Sequence, residues 1–230
     1  SLYHRGPDKQ SIYEYENNLD IMNEISSGKK DFGIWGSGLI KEWMDGKPIV
    51  LLANYFKRSP LAIVTKPDIV LPSGLKGKKL MVSSDDFSSA NYIQMFKAYE
   101  LESKDIVRVP ASFQIEDFIS GKVDAYSVFL TNEPFFLQQK MVPYNVLDPS
   151  NSGVEMYDVN LFSSQILAKK NPKMVKAFIE ASNKGWEYAI NHQEELVDLI
   201  LKEYNTQHKS REALLFEARE STKFKIGRAS

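Results

Sequence analysis

Glu133 has the clearest recognition chemistry in the chain. It sits in Thr131-Asn132-Glu133-Pro134, just past an apolar run and directly before a proline suited to open a helix. A carboxylate at a strand end can accept paired hydrogen bonds from an amine, amidine or aminopyrimidine, and such charge-assisted bonds are strong. The same carboxylate could instead serve the positive end of the following helix. Asn132 stands beside it as a second polar contact.

Ser83-Ser84-Asp85-Asp86-Phe87-Ser88-Ser89 leads into another helix. Free amides at a helix start attract anions, but Asp85 and Asp86 would repel one and tolerate a neutral or cationic ligand. Ser88 and Ser89 are ligand candidates through their hydroxyls, or plain caps. Phe87, an aromatic among capping residues, is expected to stack on a ligand ring. Trp35 with Ser37, and Tyr55 with Ser59, each pair an aromatic with a hydroxyl in or beside a loop, the mix expected of a small-molecule pocket. Trp35 is equally suited to a core. Arg58 could meet an acidic ligand or lie in solvent, and Asp158, within Tyr157-Asp158-Val159-Asn160, could form a pocket wall.

Catalytic constellations are scarce. His4, His192 and His208 lie away from any strand-end serine or paired acid. Metal-ligand spacing, a phosphate loop and a nucleophile elbow are all missing. The expectation is a binding domain with no catalytic residue, cofactor or metal.

The elements that must position these residues alternate. Strands are expected at Ile12–Tyr15, Phe32–Trp35, Pro48–Ala53, Leu61–Thr65, Lys79–Val82, Ile106–Val109, Tyr126–Leu130, Tyr144–Leu147 and Asp158–Ser163. Helices are expected at Asn18–Ser27, Leu39–Met44, Ser88–Tyr99, Ile115–Ser120 and Pro134–Gln139, and then at Lys173–Asn191, Gln193–Tyr204 and Ser210–Thr222. This order argues for an α/β fold with mostly parallel sheets. A helix end recurs within it. Gly28 and Gly121 each follow an amphipathic run, and each is followed by Lys, then Asp31 or Asp124, then an apolar strand. Two α/β units of one design follow, with the ligand expected in the cleft between them.

With 230 residues, the chain can bury a proper core. Lys plus Arg total 29 against 30 Asp plus Glu, a formal net charge of −1, which gives no electrostatic case for nucleic acid. The absence of cysteine excludes disulfides and thiolate chemistry. No apolar run approaches a membrane span and no signal segment opens the sequence. Leu2–Gly6 reads as the last turn of a helix, so an upstream segment is expected to be lost.

Asp31-Phe32-Gly33-Ile34, Gly46 to Ala53, Arg58-Ser59-Pro60-Leu61, Leu75 to Lys79 and Asn132-Glu133-Pro134 resemble the periplasmic solute-binding proteins of the thiamine-pyrimidine and sulfonate/nitrate group. Lys184 to Ala189, Lys202 to Gln207 and Lys209 to Ala218 are similar to segments in extracytoplasmic sensor domains of bacterial histidine kinases and diguanylate cyclases. The resemblance implies a two-lobed type II fold with two crossovers. Lobe 1 would hold residues 1–77 plus 154–230 without the family's first strand and helix, and lobe 2 residues 78–153. Hinges would lie at Thr65–Gly77 and Gly153–Tyr157. It further implies a periplasmic domain that binds a small, aminopyrimidine-like molecule and signals through a membrane-anchored module of the same chain, with room for a homodimer in the full-length protein. The alternative is the free binding component of an ABC importer. The cysteine-rich iron motif of related pyrimidine synthases is absent here.

Overall fold

The computed structural model describes residues 2–5, 10–13, 20–112, 114–153 and 155–225, with side chains described from residue 20 onward. β1 (Leu2–Arg5) and β2 (Gln10–Tyr13) pair as an antiparallel ribbon. Leu2–Arg5 is therefore a strand rather than the expected helix end, its backbone satisfied across the ribbon from Tyr13 to Gln10. Of the strand expected at Ile12–Tyr15, Glu14 and Tyr15 lie outside the described residues, as do the first two residues of the helix expected from Asn18.

α1 (Ile21–Ser26) and α5 (Ile115–Ile119) end alike. Gly28 and Gly121 both take φ +79°, the left-handed conformation that glycine adopts without a Cβ penalty. Three backbone hydrogen bonds match between the copies. They are Ser27 N to Asn23 O and Ser120 N to Glu116 O, Gly28 N to Ile25 O and Gly121 N to Phe118 O, and Lys30 N to Glu24 O (3.1 Å) and Val123 N to Asp117 O (3.2 Å). Each junction delivers the chain into a strand, β3 (Phe32–Trp35) or β8 (Ala125–Phe129).

The first sheet sets β10 (Asp158–Ser164) between β3 and β4 (Ile49–Phe56), antiparallel to both. α1 and α2 (Leu39–Met44) cover it with a core of Met22, Ile25, Leu39, Ile49 and Phe162. Gly33 lets the strand lie against Phe162, since a Cβ there would stand 2.6 Å from its ring.

The second sheet has five strands in the order β7-β6-β8-β5-β9, comprising β5 (Leu61–Thr65), β6 (Lys79–Val82), β7 (Val107–Pro110), β8 and β9 (Asn145–Leu147). Leu61, Ile63, Leu80 and Val82 pack with Tyr92, Met95 and Phe96 of α4 (Ala90–Ala98) on one face. Val64, Met81, Tyr126 and Val128 pack with Phe118 and with Leu137 of α6 (Glu133–Gln139) on the other. β5 is buried at every position, which is why it reads as a continuous apolar run rather than an alternating one.

The mixed α/β class holds, but the mostly parallel pairing does not. Among the described residues, only β6 pairs in parallel, with β7 and β8, while β5 runs antiparallel to β8 and β9. β5 also moves the first crossing between sheets to Lys57–Pro60, upstream of the boundary expected at residue 77 and of the hinge expected at Thr65–Gly77. The second crossing runs from Asp148 to Tyr157 and contains the expected Gly153–Tyr157 segment, residue 154 being outside the description.

Two short helices escape the sequence pattern. α3 (Ser84–Phe87) precedes α4, so the helix expected from Ser88 begins at Ala90. α7 (Gln165–Lys170) follows β10 without a loop because the Ser164 hydroxyl accepts from Leu167 N at 3.1 Å. α8 (Pro172–Asn191), α9 (Gln193–Glu203) and α10 (Arg211–Lys225) follow. Phe178 stacks on Phe32 at 3.9 Å and Trp186 on Tyr55 at 5.3 Å. α10 touches both halves, through Phe216 with Phe135 of α6 (5.5 Å) and Phe224 with Phe56 of β4 (6.0 Å). Among the described residues, no helix is long and apolar enough to cross a membrane.

Candidate ligand cleft

The two crossings are stitched by consecutive residues. Phe56 pairs with Asp158 at the ends of β4 and β10. Lys57 N donates to Phe224 O at 2.9 Å, and its ammonium lies 5.6 Å from the Tyr157 ring. Arg58 Nη1 donates to Ser150 Oγ at 3.0 Å, approaches Asp148 Oδ2 at 3.4 Å, and its guanidinium lies 4.9 Å from the Phe224 ring. The Ser59 hydroxyl donates to Asp158 and accepts from Leu61 N at 3.2 Å.

Asp158 closes the loop end of the first sheet. Its Oδ1 accepts from Val159 N at 2.7 Å. Val159 has φ +50°, a strained conformation for a β-branched residue and of a kind that gathers at binding sites. Beside it, Asn54 donates to Asn160 Oδ1, whose amide donates in turn to Gly36 O at 3.0 Å. A Cβ on Gly36 would reach Asp158 Oδ1 at 3.4 Å, so that loop lies directly against the carboxylate.

From the second sheet a polar chain runs toward the same place. Tyr92 Oη donates to Ala62 O at 2.6 Å and bonds Ser127 Oγ at 2.8 Å, and Ser127 reaches Asp86 Oδ2 at 3.4 Å. Burial raises the Asp86 carboxyl above the ordinary carboxylate range, against the hydrogen bonds from Ser83 and Ser127, and the charges of Asp85 and Asp158 raise it further. Asp86 stands on α3, after β6 of the second sheet, and Asp158 opens β10 of the first. Asp158 is likewise raised by burial, opposed by Ser59 and the Val159 amide.

Arg58, Ser59, Asn91, Asp148, Ser150 and Met156 line the narrow gap between the crossings. Asn91 is 2% exposed and its Oδ1 has no partner, a state that costs free energy unless a donor arrives. The gap thus presents acceptors, while its cation, Arg58, is already engaged.

The expected site residues divide. Asp158 and Ser59 stand together at the cleft, with Ser37 buried in the adjoining β3–α2 loop. Glu133 is already engaged: its Oε2 accepts from Phe129 N at 2.8 Å and Oε1 from Asn132 Nδ2 at 3.0 Å. Burial raises its carboxyl and those bonds oppose the rise. Ser88 donates back to Ser84 O at 2.9 Å, and Ser89 caps Tyr92 N at 3.4 Å, the ordinary capping role. Phe87 is not a free stacking face, since it packs on Phe96 at 6.1 Å against the second sheet's core. Trp35 packs half-buried on the first core, and Tyr55 turns to Trp186 and away from loop chemistry. Asn91 escaped the sequence reading. Its signal was a polar residue one turn before Met95 on the buried stripe of α4.

The sequence model of the NMT1/THI5-like family matches residues 10–196, most of the chain. The chain belongs to the NMT1/THI5-like family. Among its relatives, this member is 23% identical over 212 residues to the riboflavin-binding protein RibY of Chloroflexus aurantiacus, a match covering 87% of the chain and 59% of RibY. It thus spans about three fifths of that relative. Solved structures share the periplasmic binding protein fold. The aliphatic sulfonate binding protein SsuA of Escherichia coli superposes with TM-score 0.65 at 17% identity, over 84% of this chain and 63% of that one. A Candida albicans protein described as having the generic periplasmic binding protein fold gives 0.60 at 18% identity, over 89% and 67%.

Proposed function

We propose that this NMT1/THI5-like chain is a non-catalytic, periplasmic solute-binding domain whose two lobes close on a small nitrogenous ligand in the inter-lobe cleft. Strand allegiance favours lobes divided at the crossings Lys57–Pro60 and Asp148–Tyr157. The observation that carries the reading is the imbalance of the cleft. Asp86 and Asp158 hold desolvated carboxylates, Asn91 holds an unpaired acceptor, and Arg58 is bound to Asp148 and Ser150. N–H donors, as on an aminopyrimidine, satisfy such a site, whereas a sulfonate would add negative charge beside the buried Asp158 and the half-buried Asp86. Asp158, Ser59, Asn91 and Asp86 are the assigned contacts, with Ser37 and Asn132 at the margin.

Within the full-length protein we assign the domain to an extracytoplasmic sensor, on the similarity of Lys184–Ala189 and Lys209–Ala218 to such segments. α10 supports this, because it is fastened to a crossing at Phe224 and to the second sheet's helices at Phe216. The importer component fits the same fold and is separated from the sensor by what the gene encodes downstream: a membrane span with kinase or cyclase motifs, or a stop.

The test is a thermal-shift and calorimetric panel of hydroxymethyl-aminopyrimidine, thiamine, riboflavin, taurine and nitrate. At a hundred times its dissociation constant, a ligand adds about 2.7 kcal/mol of stability. A shift with the aminopyrimidine, reduced by half or more in Asp158→Asn, is expected. A shift with taurine or nitrate alone overturns the acceptor-rich reading.

A further inference from the structure

The C-terminal helices hold a second cavity that the cleft does not use. It lies between α8, α9 and α10 and has a volume of about 260 Å³. Trp186 and Ile190 of α8, Val197 and Ile200 of α9, and Leu214 and Ala218 of α10 form its walls. Three polar residues at its rim are engaged within the protein: Gln193 Nε2 donates to Thr222 Oγ1 at 2.9 Å, and Glu217 Oε2 accepts from Lys209 Nζ at 2.7 Å. The rest of the lining is apolar apart from Ser221, and an enclosed apolar cavity of about 150 Å³ takes up benzene. This one has room for a substituted or fused ring.

The cavity is mechanically joined to the crossings. Trp186, one of its walls, also stacks on Tyr55 at 5.3 Å and meets the edge of Phe56 at 5.9 Å, with Lys225 Nζ 4.8 Å from its ring. Phe56 lies on Phe224, whose carbonyl accepts from Lys57 N at the start of the first crossing. The Tyr55 hydroxyl is buried without a partner, so no hydrogen bond from it resists a shift of the stacked pair.

We propose that this cavity is a second small-molecule site, for a neutral aromatic ligand, coupled to the crossings through Trp186. It takes a ligand opposite in chemistry to that of the acceptor-rich cleft.

The probe is fluorobenzene, titrated into the 230-residue chain and followed by fluorine NMR line broadening. Broadening in the parent protein is expected, together with its loss in Ala218→Leu, whose added carbons fill the cavity. Ala189→Leu fills it from α8 and serves if the first variant melts early. Saturation with fluorobenzene should also change hydrogen exchange at the Lys57 amide several-fold. Absence of broadening in the parent, or broadening that persists in a folded filling variant, overturns the site. An unchanged Lys57 amide overturns the coupling. Neither readout needs a cleft ligand, so failure here is distinct from failure of the solute-binding reading.

Discussion

Asp86 and Asp158 carry charge where burial opposes it, and that fixes the sign of two measurements. A carboxyl raised in the folded state binds protons there before it does in the unfolded chain, so stability grows as pH falls through the raised values. The gain is complete near the ordinary value of about 4, where the unfolded chain also protonates. Melting temperature should therefore rise on mild acidification, and Asp86→Asn with Asp158→Asn should reduce the rise, leaving the share of the raised Glu133 carboxyl; an unchanged profile would remove these two acids as its source. Affinity for an N–H donor should run the other way, weakening as the acids protonate. Asp158→Asn alone should cost about 1.5–3 kcal/mol of binding, the range for a hydrogen bond to a charged group, measured by calorimetry. Asn91→Leu removes an unpaired buried acceptor, so the ligand-free protein should gain about 1 kcal/mol while binding weakens. A loss of stability would mean that Asn91 is satisfied without ligand. Asp158 was a candidate wall residue from the sequence. Asn91 was not, because one sequence cannot tell a buried amide from an exposed one on a short helix.

At the scale of elements, the recurring helix end was the most legible feature, because its cause is local. A glycine that must turn left leaves a mark that no distant contact is needed to read. Gly28 and Gly121 share φ +79°, and nothing lies within 4 Å of a Cβ at either. Gly28→Ala and Gly121→Ala should each cost about 1–2 kcal/mol from backbone conformation alone, and by similar amounts. Gly33→Ala fails by another route: its new Cβ meets the Phe162 ring, an overpacking that typically costs about 1–3 kcal/mol. Chemical denaturation of the three variants separates these origins, since a second substitution, Phe162→Leu, should rescue Gly33→Ala and neither of the others. Strand partners were less legible. The apolar run Leu61–Thr65 gave its burial but not its sheet, because antiparallel and parallel neighbours bury the same side chains. The internal bonds of Glu133 were hidden for a similar reason. Nothing in Thr131–Pro134 announces that the Phe129 amide turns back to take its carboxylate.

For the whole molecule, the proposed closure raises the question of what would set the balance between open and closed lobes. Both crossings converge on Arg58 and Phe224, with very different energetics. The Arg58 side chain is 40% exposed and 3.4 Å from Asp148, so the pair is worth about 0.5–1 kcal/mol. Phe224 is 3% exposed between Phe56 and the guanidinium, and truncating a buried phenylalanine costs about 3–5 kcal/mol. Phe224→Ala should therefore lower the melting temperature sharply. Arg58→Gln should leave it nearly unchanged while altering ligand affinity about two- to fivefold through the open–closed balance. Small-angle scattering discriminates the cause. If the latch belongs to closure, the ligand-free radius of gyration shifts in Arg58→Gln while the ligand-bound value matches the parent. If affinity changes with both radii constant, Arg58 acts on the ligand itself, and the assignment of the cleft as cation-poor fails with it.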